Sequence, residues 1–93
     1  MSHIAKERKK LLARVNRIAG QVNALKRDVE TAESDSECHR IMQQIASIRG
    51  AMNGLLLAFL DEHTREHIAH GKTVEERERA AEELIEALRS FRA

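Results

Sequence analysis

The sequence predicts an all-α protein, and three observations carry that reading. A third of its 93 residues are charged, none is proline, only four are glycine, and the aromatics are two phenylalanines. That composition builds long helices with an aliphatic core, not a β-sandwich or a disordered tail. Apolar residues recur at helical spacing along most of the chain. Two Ser/Thr-x-x-Glu signatures, which open helices, cut the chain into three segments. The expectation is one domain over residues 1–93, a three-helix protomer with helices at about 5–29, 37–70 and 74–92.

In the first helix, Leu11, Val15, Ile18, Val22, Leu25 and Val29 follow a 4-3-4-3-4 spacing, a heptad seam whose basic residues fall mostly on other faces. Gly20 interrupts it at a cost of about 1 kcal/mol against alanine, and a close backbone approach is the expected reason. Small and acidic residues at 31–36 break the pattern. Ser34-Asp35-Ser36-Glu37 then reads as a capping box, with Ser34 as N-cap and Glu37 reaching back. The second helix carries Ile41, Ile45, Ile48, Met52, Leu55 and Phe59 on one seam. Met42, Leu56, Leu60, His63 and His67 form a neighbouring stripe. It should run to His70, with Gly71 as a C′ residue. Thr73-Val74-Glu75-Glu76 is the second capping box and opens a third helix with Ala81, Leu84, Ile85, Leu88 and Phe91 on its apolar side.

Length makes the second helix decisive. At 1.5 Å per residue it spans roughly 50 Å, whereas a compact chain of this size has a radius of gyration of roughly 12 Å. Two shorter neighbours cannot cover both of its apolar stripes. The helix therefore has to pack on another subunit, and an obligate helical homo-oligomer is expected.

Charge is unevenly placed. Residues 1–27 carry eight bases against Glu7 alone, while residues 28–93 hold eight bases and fourteen acids. A basic end on an acidic chain suits a polyanion, nucleic acid first, although a solvated helix face has the same composition. No apolar run reaches the ~18 residues of a membrane span. The N-terminus lacks a signal-type apolar segment, so a cytoplasmic protein with no membrane partner is expected. A lone cysteine cannot staple one chain; it is either a reactive thiol or a small packing residue.

The candidate ligands are Cys38, His39, His63, His67 and His70, with His3 near the start. His63 and His67, at i and i+4, emerge a turn apart on one face and can grip one metal ion; two solvated histidines give the same spacing. Cys38 falls in the first turn of the second helix, where backbone N–H groups and the helix dipole favour a thiolate. Cys38 and His63 are separated by roughly 37 Å along one helix, too far to share a metal. If two copies of the helix pair antiparallel about a dyad near Gly50 and Ala51, Cys38 meets the partner's His63. Gly50, Ala51 and Gly54 are small enough for that crossing, which would carry two identical intersubunit sites.

The run from Gln43 to Leu55 (Gln43-Gln44-Ile45-Ala46-Ser47-Ile48-Arg49-Gly50-Ala51-Met52-Asn53-Gly54-Leu55), with Glu37-Cys38 before it, strongly resembles the CsoR/RcnR family of small helical repressors. So does Arg14-Val15-Asn16-Arg17-Ile18-Ala19-Gly20-Gln21-Val22. The resemblance covers nearly the whole chain. It implies a three-helix protomer, an antiparallel four-helix-bundle dimer and a dimer-of-dimers tetramer. It also implies a repressor that binds operator DNA without a helix-turn-helix and lets go when an inducer binds at the cysteine.

Residues around that cysteine distinguish the branches. Copper(I) sensors resemble Cys-His-Cys, but the third place here is His67, and soft Cu(I) prefers thiolate. Formaldehyde sensors look alike elsewhere but carry a proline after the initiator methionine, where this chain has Ser2. Persulfide sensors use two cysteines. The nickel/cobalt branch resembles His3, Cys38, His63 and His67 position for position. The resemblance thus implies Ni(II) or Co(II) as a regulatory ligand in an intersubunit site and derepression of a metal efflux or resistance operon. After removal of Met1, the Ser2 amine would join His3 as a chelate. Glu66 and His70 also match this branch and equally suit a solvated surface. A formaldehyde response at Cys38, or a Cu(I) or Zn(II) response, is the alternative.

Arg14 and Arg17 match basic positions of the family's DNA face, with Arg49 and Lys10 as further candidates and Lys9 and Arg8 extending the stripe. The near absence of aromatics disfavours stacking on single strands; duplex DNA read through backbone and shape is the expected partner. A thiolate with a histidine could serve as nucleophile and base. No supporting acid, oxyanion site or substrate pocket is legible, and an enzyme is not expected.

Overall fold

The computed structural model of the chain describes residues 3–91, apart from the His3 side chain. It contains α1 (His3–Thr31), α2 (Asp35–His63) and α3 (Val74–Ser90), with a π-helical segment, Thr64–Ala69, between α2 and α3. No strand occurs among the described residues. The chain divides into two compact units, Met1–Leu55 and Leu56–Ala93.

In the first unit, α2 starts at the expected box. Ser34 Oγ accepts from the Glu37 N–H at 3.3 Å and donates to Glu37 Oε1 at 2.9 Å. Glu37 Oε1 also accepts from the Glu33 N–H at 3.4 Å. The first bond satisfies an N–H that a helix start leaves without an intrahelical partner, and Glu37 reaches back one residue beyond Ser34, to Glu33. Across from α2, the shielded face of α1 alternates Leu11, Ile18 and Leu25 with Arg14, Gln21 and Asp28. Gln44 Nε2 donates to Asp28 Oδ2 at 2.7 Å, and the Arg14 guanidinium rests over Gly54. A cavity of about 220 Å³ is lined by Gln21, Ala24, Gln44, Ser47 and Ile48. The amide oxygens of Gln21 and Gln44 are buried there with no hydrogen-bond partner.

The expected heptad seams therefore split in two. Leu11, Ile18 and Leu25 are shielded within the chain, while Val15, Val22 and Val29 face outward. On α2, Ile41, Ile48 and Leu55 are half-buried, whereas Ile45 and Met52 are exposed. Val22 keeps 45% of its surface exposed and Met52 49%. Only Ile18 and Ala80 are buried hydrophobic residues among those described. Gly20 does not serve a close approach within the chain, because a Cβ there would meet open space.

In the second unit, α3 packs on the π-helical segment. Thr73 caps α3, its hydroxyl accepting from the Glu76 N–H at 3.0 Å. Ala80 is 2% exposed, with Ala81, Leu84 and Ala87 half-buried and Ile85, Leu88 and Phe91 exposed. The helix expected to run unbroken over 37–70 changes character at Thr64. The Thr64 hydroxyl donates to the Leu60 carbonyl at 2.7 Å, a back-bond that competes with the regular backbone ladder. The His70 N–H then reaches back five residues to Arg65 O at 3.0 Å, the π spacing. Gly71 does not use a left-handed conformation, since no described glycine has positive φ. It is there for room: a Cβ would collide with the His67 carbonyl oxygen and with Arg77 Cγ. Residue 92, the expected end of the third helix, lies outside the described residues.

Candidate functional site

His63 is the last residue of α2 and His67 sits in the π-helical segment. Their ring centroids are 5.4 Å apart with planes inclined by 50°. Both rings are held by α3. His63 Nε2 lies 3.1 Å from the Ala80 carbonyl oxygen. A carbonyl only accepts, so Nε2 donates, and the neutral ring's lone pair is at Nδ1. Glu83 Oε1 stands 3.8 Å from the same nitrogen. His67 Nδ1 donates to Glu76 Oε2 at 3.1 Å, which puts its lone pair at Nε2. The Lys72 N–H donates to the other oxygen, Glu76 Oε1, at 3.3 Å. The His67 hydrogen bond first, and the Lys72 bond second, hold the Glu76 carboxyl below the usual range. His63, His67, Glu76, Arg79, Ala80 and Glu83 line a concavity of about 310 Å³.

Cys38 belongs to the first unit. It is exposed in the first turn of α2, and its N–H donates to Ser34 O at 3.0 Å. No group of three or more His, Cys, Asp or Glu among the described residues is placed to hold a metal ion. Within one chain, then, the structure brings together His63 and His67 but completes no ligand set. The Ser2 amine and the His3 side chain, two further expected ligands, lie outside the described residues. Glu66 is half-buried, and His70 and His39 are exposed. A thiol with two imidazoles, each ring fixed through its other nitrogen, suits a borderline divalent cation in chemistry.

On the basic side, Lys10, Arg17 and Arg49 are exposed, as are Lys9 and Arg8. Arg14 is half-buried and lies against α2. Sequence reasoning missed Glu76, Glu83 and the Ala80 carbonyl as partners of the histidines. The capping box flagged Glu76 only as a helix start; its pairing with His67 depends on how α3 returns onto the π-helical segment. No helix among the described residues is long and apolar enough to cross a membrane.

The described residues thus form a helical protomer with a basic first helix and two imidazoles held in place by α3. Residues 7–90 match the family model described as metal-sensitive transcriptional repressor. An uncharacterized protein in the bioA 5′ region of Serratia marcescens is 49% identical over 92 residues, 98% of each chain. The transcriptional repressor RcnR of Citrobacter koseri is 41% identical over 91 residues, again 98% of each. The structure of a glutamate-to-histidine variant of the formaldehyde-responsive regulator FrmR from Salmonella enterica serovar Typhimurium is also similar. It is 39% identical, has a TM-score of 0.80, and the match covers 96% of this chain and 98% of that one. The chain belongs to the metal-sensitive transcriptional repressor family.

Proposed function

We propose that this repressor binds operator DNA as a homo-oligomer and releases it on Ni(II) or Co(II), derepressing metal efflux or resistance genes. The observation that carries the reading is the pair of imidazoles 5.4 Å apart, each with its second ring nitrogen hydrogen-bonded to α3. Such outer hydrogen bonds fix tautomer and orientation in ligating histidines. Cys38 of one subunit with His63 and His67 of its partner form the proposed intersubunit site, with His3 and the Ser2 amine completing it; Glu66 and His70 are further donors in reach of the sequence pattern. The exposed Val15, Val22, Val29, Ile45 and Met52 form the face for a second copy in an antiparallel dimer, and two dimers form the tetramer.

When bound, the metal supplies a cross-link between ligands of two subunits. Metal coordination by His3 and the Ser2 amine would tie the metal to the start of α1, the helix that carries Lys10, Arg14 and Arg17; with Arg49 these form the proposed operator contacts. By linkage, DNA weakens only as far as the metal prefers the non-binding state. The test is operator binding measured during metal titration. Cys38→Ala and His63→Ala should still bind DNA but ignore Ni(II) and Co(II), and His3→Ala should keep partial metal binding while losing release. Release of Cys38→Ala at wild-type metal concentrations would sink the site. The likeness to the FrmR variant favours a second reading, a formaldehyde response at Cys38. It takes over if formaldehyde releases the wild-type protein and neither metal does.

A further inference from the structure

Glu76 does two jobs at the start of α3. Its backbone N–H is capped by Thr73 Oγ1 at 3.0 Å, and its carboxylate accepts Lys72 N–H at 3.3 Å; together these fix where the carboxylate stands. The remaining oxygen accepts the His67 Nδ1–H at 3.1 Å. In a neutral imidazole the nitrogen that carries the proton is decided by the hydrogen bond the ring makes. An unrestrained neutral histidine carries its proton mainly on Nε2, the nitrogen that would otherwise donate an electron pair to a metal. A carboxylate facing Nδ1 reverses that preference.

We infer that Glu76 is a positioning residue for metal capture: by accepting the Nδ1 proton it holds His67 in the tautomer whose lone pair is on Nε2, and fixes the ring beside His63. The inference rests on the proposed metal-responsive reading and adds to it a residue that touches no metal. The geometry is local to the second unit. Glu76 lies nine residues beyond His67, brought back by the turn through Gly71, where a side chain would strike the His67 carbonyl. The tight turn, the Thr73 cap and the carboxylate thus act on one ring. Loss of such a partner typically lowers metal affinity 10–100-fold.

The first measurement uses the metal-free full chain. Imidazole ¹⁵N shifts, recorded at a pH where the rings are neutral, report which nitrogen is protonated. Wild type should show His67 as the Nδ1–H form, and Glu76→Ala should move it to Nε2–H. Glu75→Ala removes the neighbouring, exposed carboxylate of the same helix turn without touching the ring and should leave His67 unchanged. Co(II) titration of the same proteins should show Glu76→Ala weakened by about 10–100-fold, with Glu75→Ala near wild type. An unchanged His67 tautomer in Glu76→Ala, or equal losses of Co(II) affinity in both variants, overturns the proposal. Should Glu76→Ala fail to fold, Glu76→Leu serves: it keeps a helix-forming stem but offers the His67 Nδ1–H no acceptor, so His67 should shift to Nε2–H, and an unaltered spectrum again overturns the role. His67→Ala separates the two ideas. Intact Co(II) affinity there removes the metal site and the positioning role together, whereas a loss there with none in Glu76→Ala removes the positioning role alone.

Discussion

Arg14 Nη2 lies 3.0 Å from the point a Cβ on Gly54 would occupy, so the guanidinium uses the missing side chain of α2 as its seat. An arginine ordered this way has already lost much of the rotamer freedom that binding a phosphate would cost it.

Gly54→Ala should unseat Arg14 without harming the fold, because the clashing atom is the end of a flexible side chain. Unfolding free energy should change by no more than about 0.5 kcal/mol beyond the helix-propensity gain of alanine. Operator affinity should fall by about 2–10-fold, the reordering of one rotamer-rich side chain at about 0.5–1.5 kcal/mol. Denaturant melts and DNA titrations on the same preparation check both halves.

Arg17 is exposed on α1 and offers its charge without a comparable seat. Arg17→Ala should weaken operator binding and reduce the slope of log K against log salt by about 0.9, the share of one neutralised phosphate. Wild-type affinity and slope would move the DNA face off this helix.

Val22 and Met52 are half-exposed in one chain. A polar replacement on an ordinary surface changes stability by no more than about 0.5 kcal/mol. Val22→Glu should instead break the oligomer, because it would bury an unpaired charge between subunits. Sedimentation equilibrium reads the result, and an unchanged assembly would place the subunit contact elsewhere.

Gly71→Ala meets a backbone carbonyl, that of His67, as well as Arg77 Cγ. A backbone atom cannot swing aside as Arg14 can, so the turn must deform at a cost of about 1–3 kcal/mol. Thermal unfolding should shift down accordingly, and His67 should lose its registry with Glu76.

What could be read from the sequence follows the range of each interaction. Both capping boxes were legible because Ser34–Glu37 and Thr73–Glu76 act over three residues. The heptad seams were legible as apolar periodicity, but not which half each chain keeps for itself. Val15 and Ile18 look alike in a hydropathy pattern; the inner face is marked by Arg14, Gln21 and Asp28, whose polarity disguises it. The π-helical segment left no trace because Thr64 bonding Leu60 O is a choice of hydrogen bond, not of composition. His63 and His67 stood out by spacing, while their holders, Ala80 O and Glu76, are tertiary partners.

With only Ile18 and Ala80 as buried hydrophobic residues among those described, the protomer has little of its own to hold it folded. In the proposed homo-oligomer this makes protein concentration a determinant of stability, because folding and association would draw on the same apolar faces. Dilution then acts as a denaturant, and the unfolding midpoint should climb with total protein. A cell making fewer copies would also make each copy less durable.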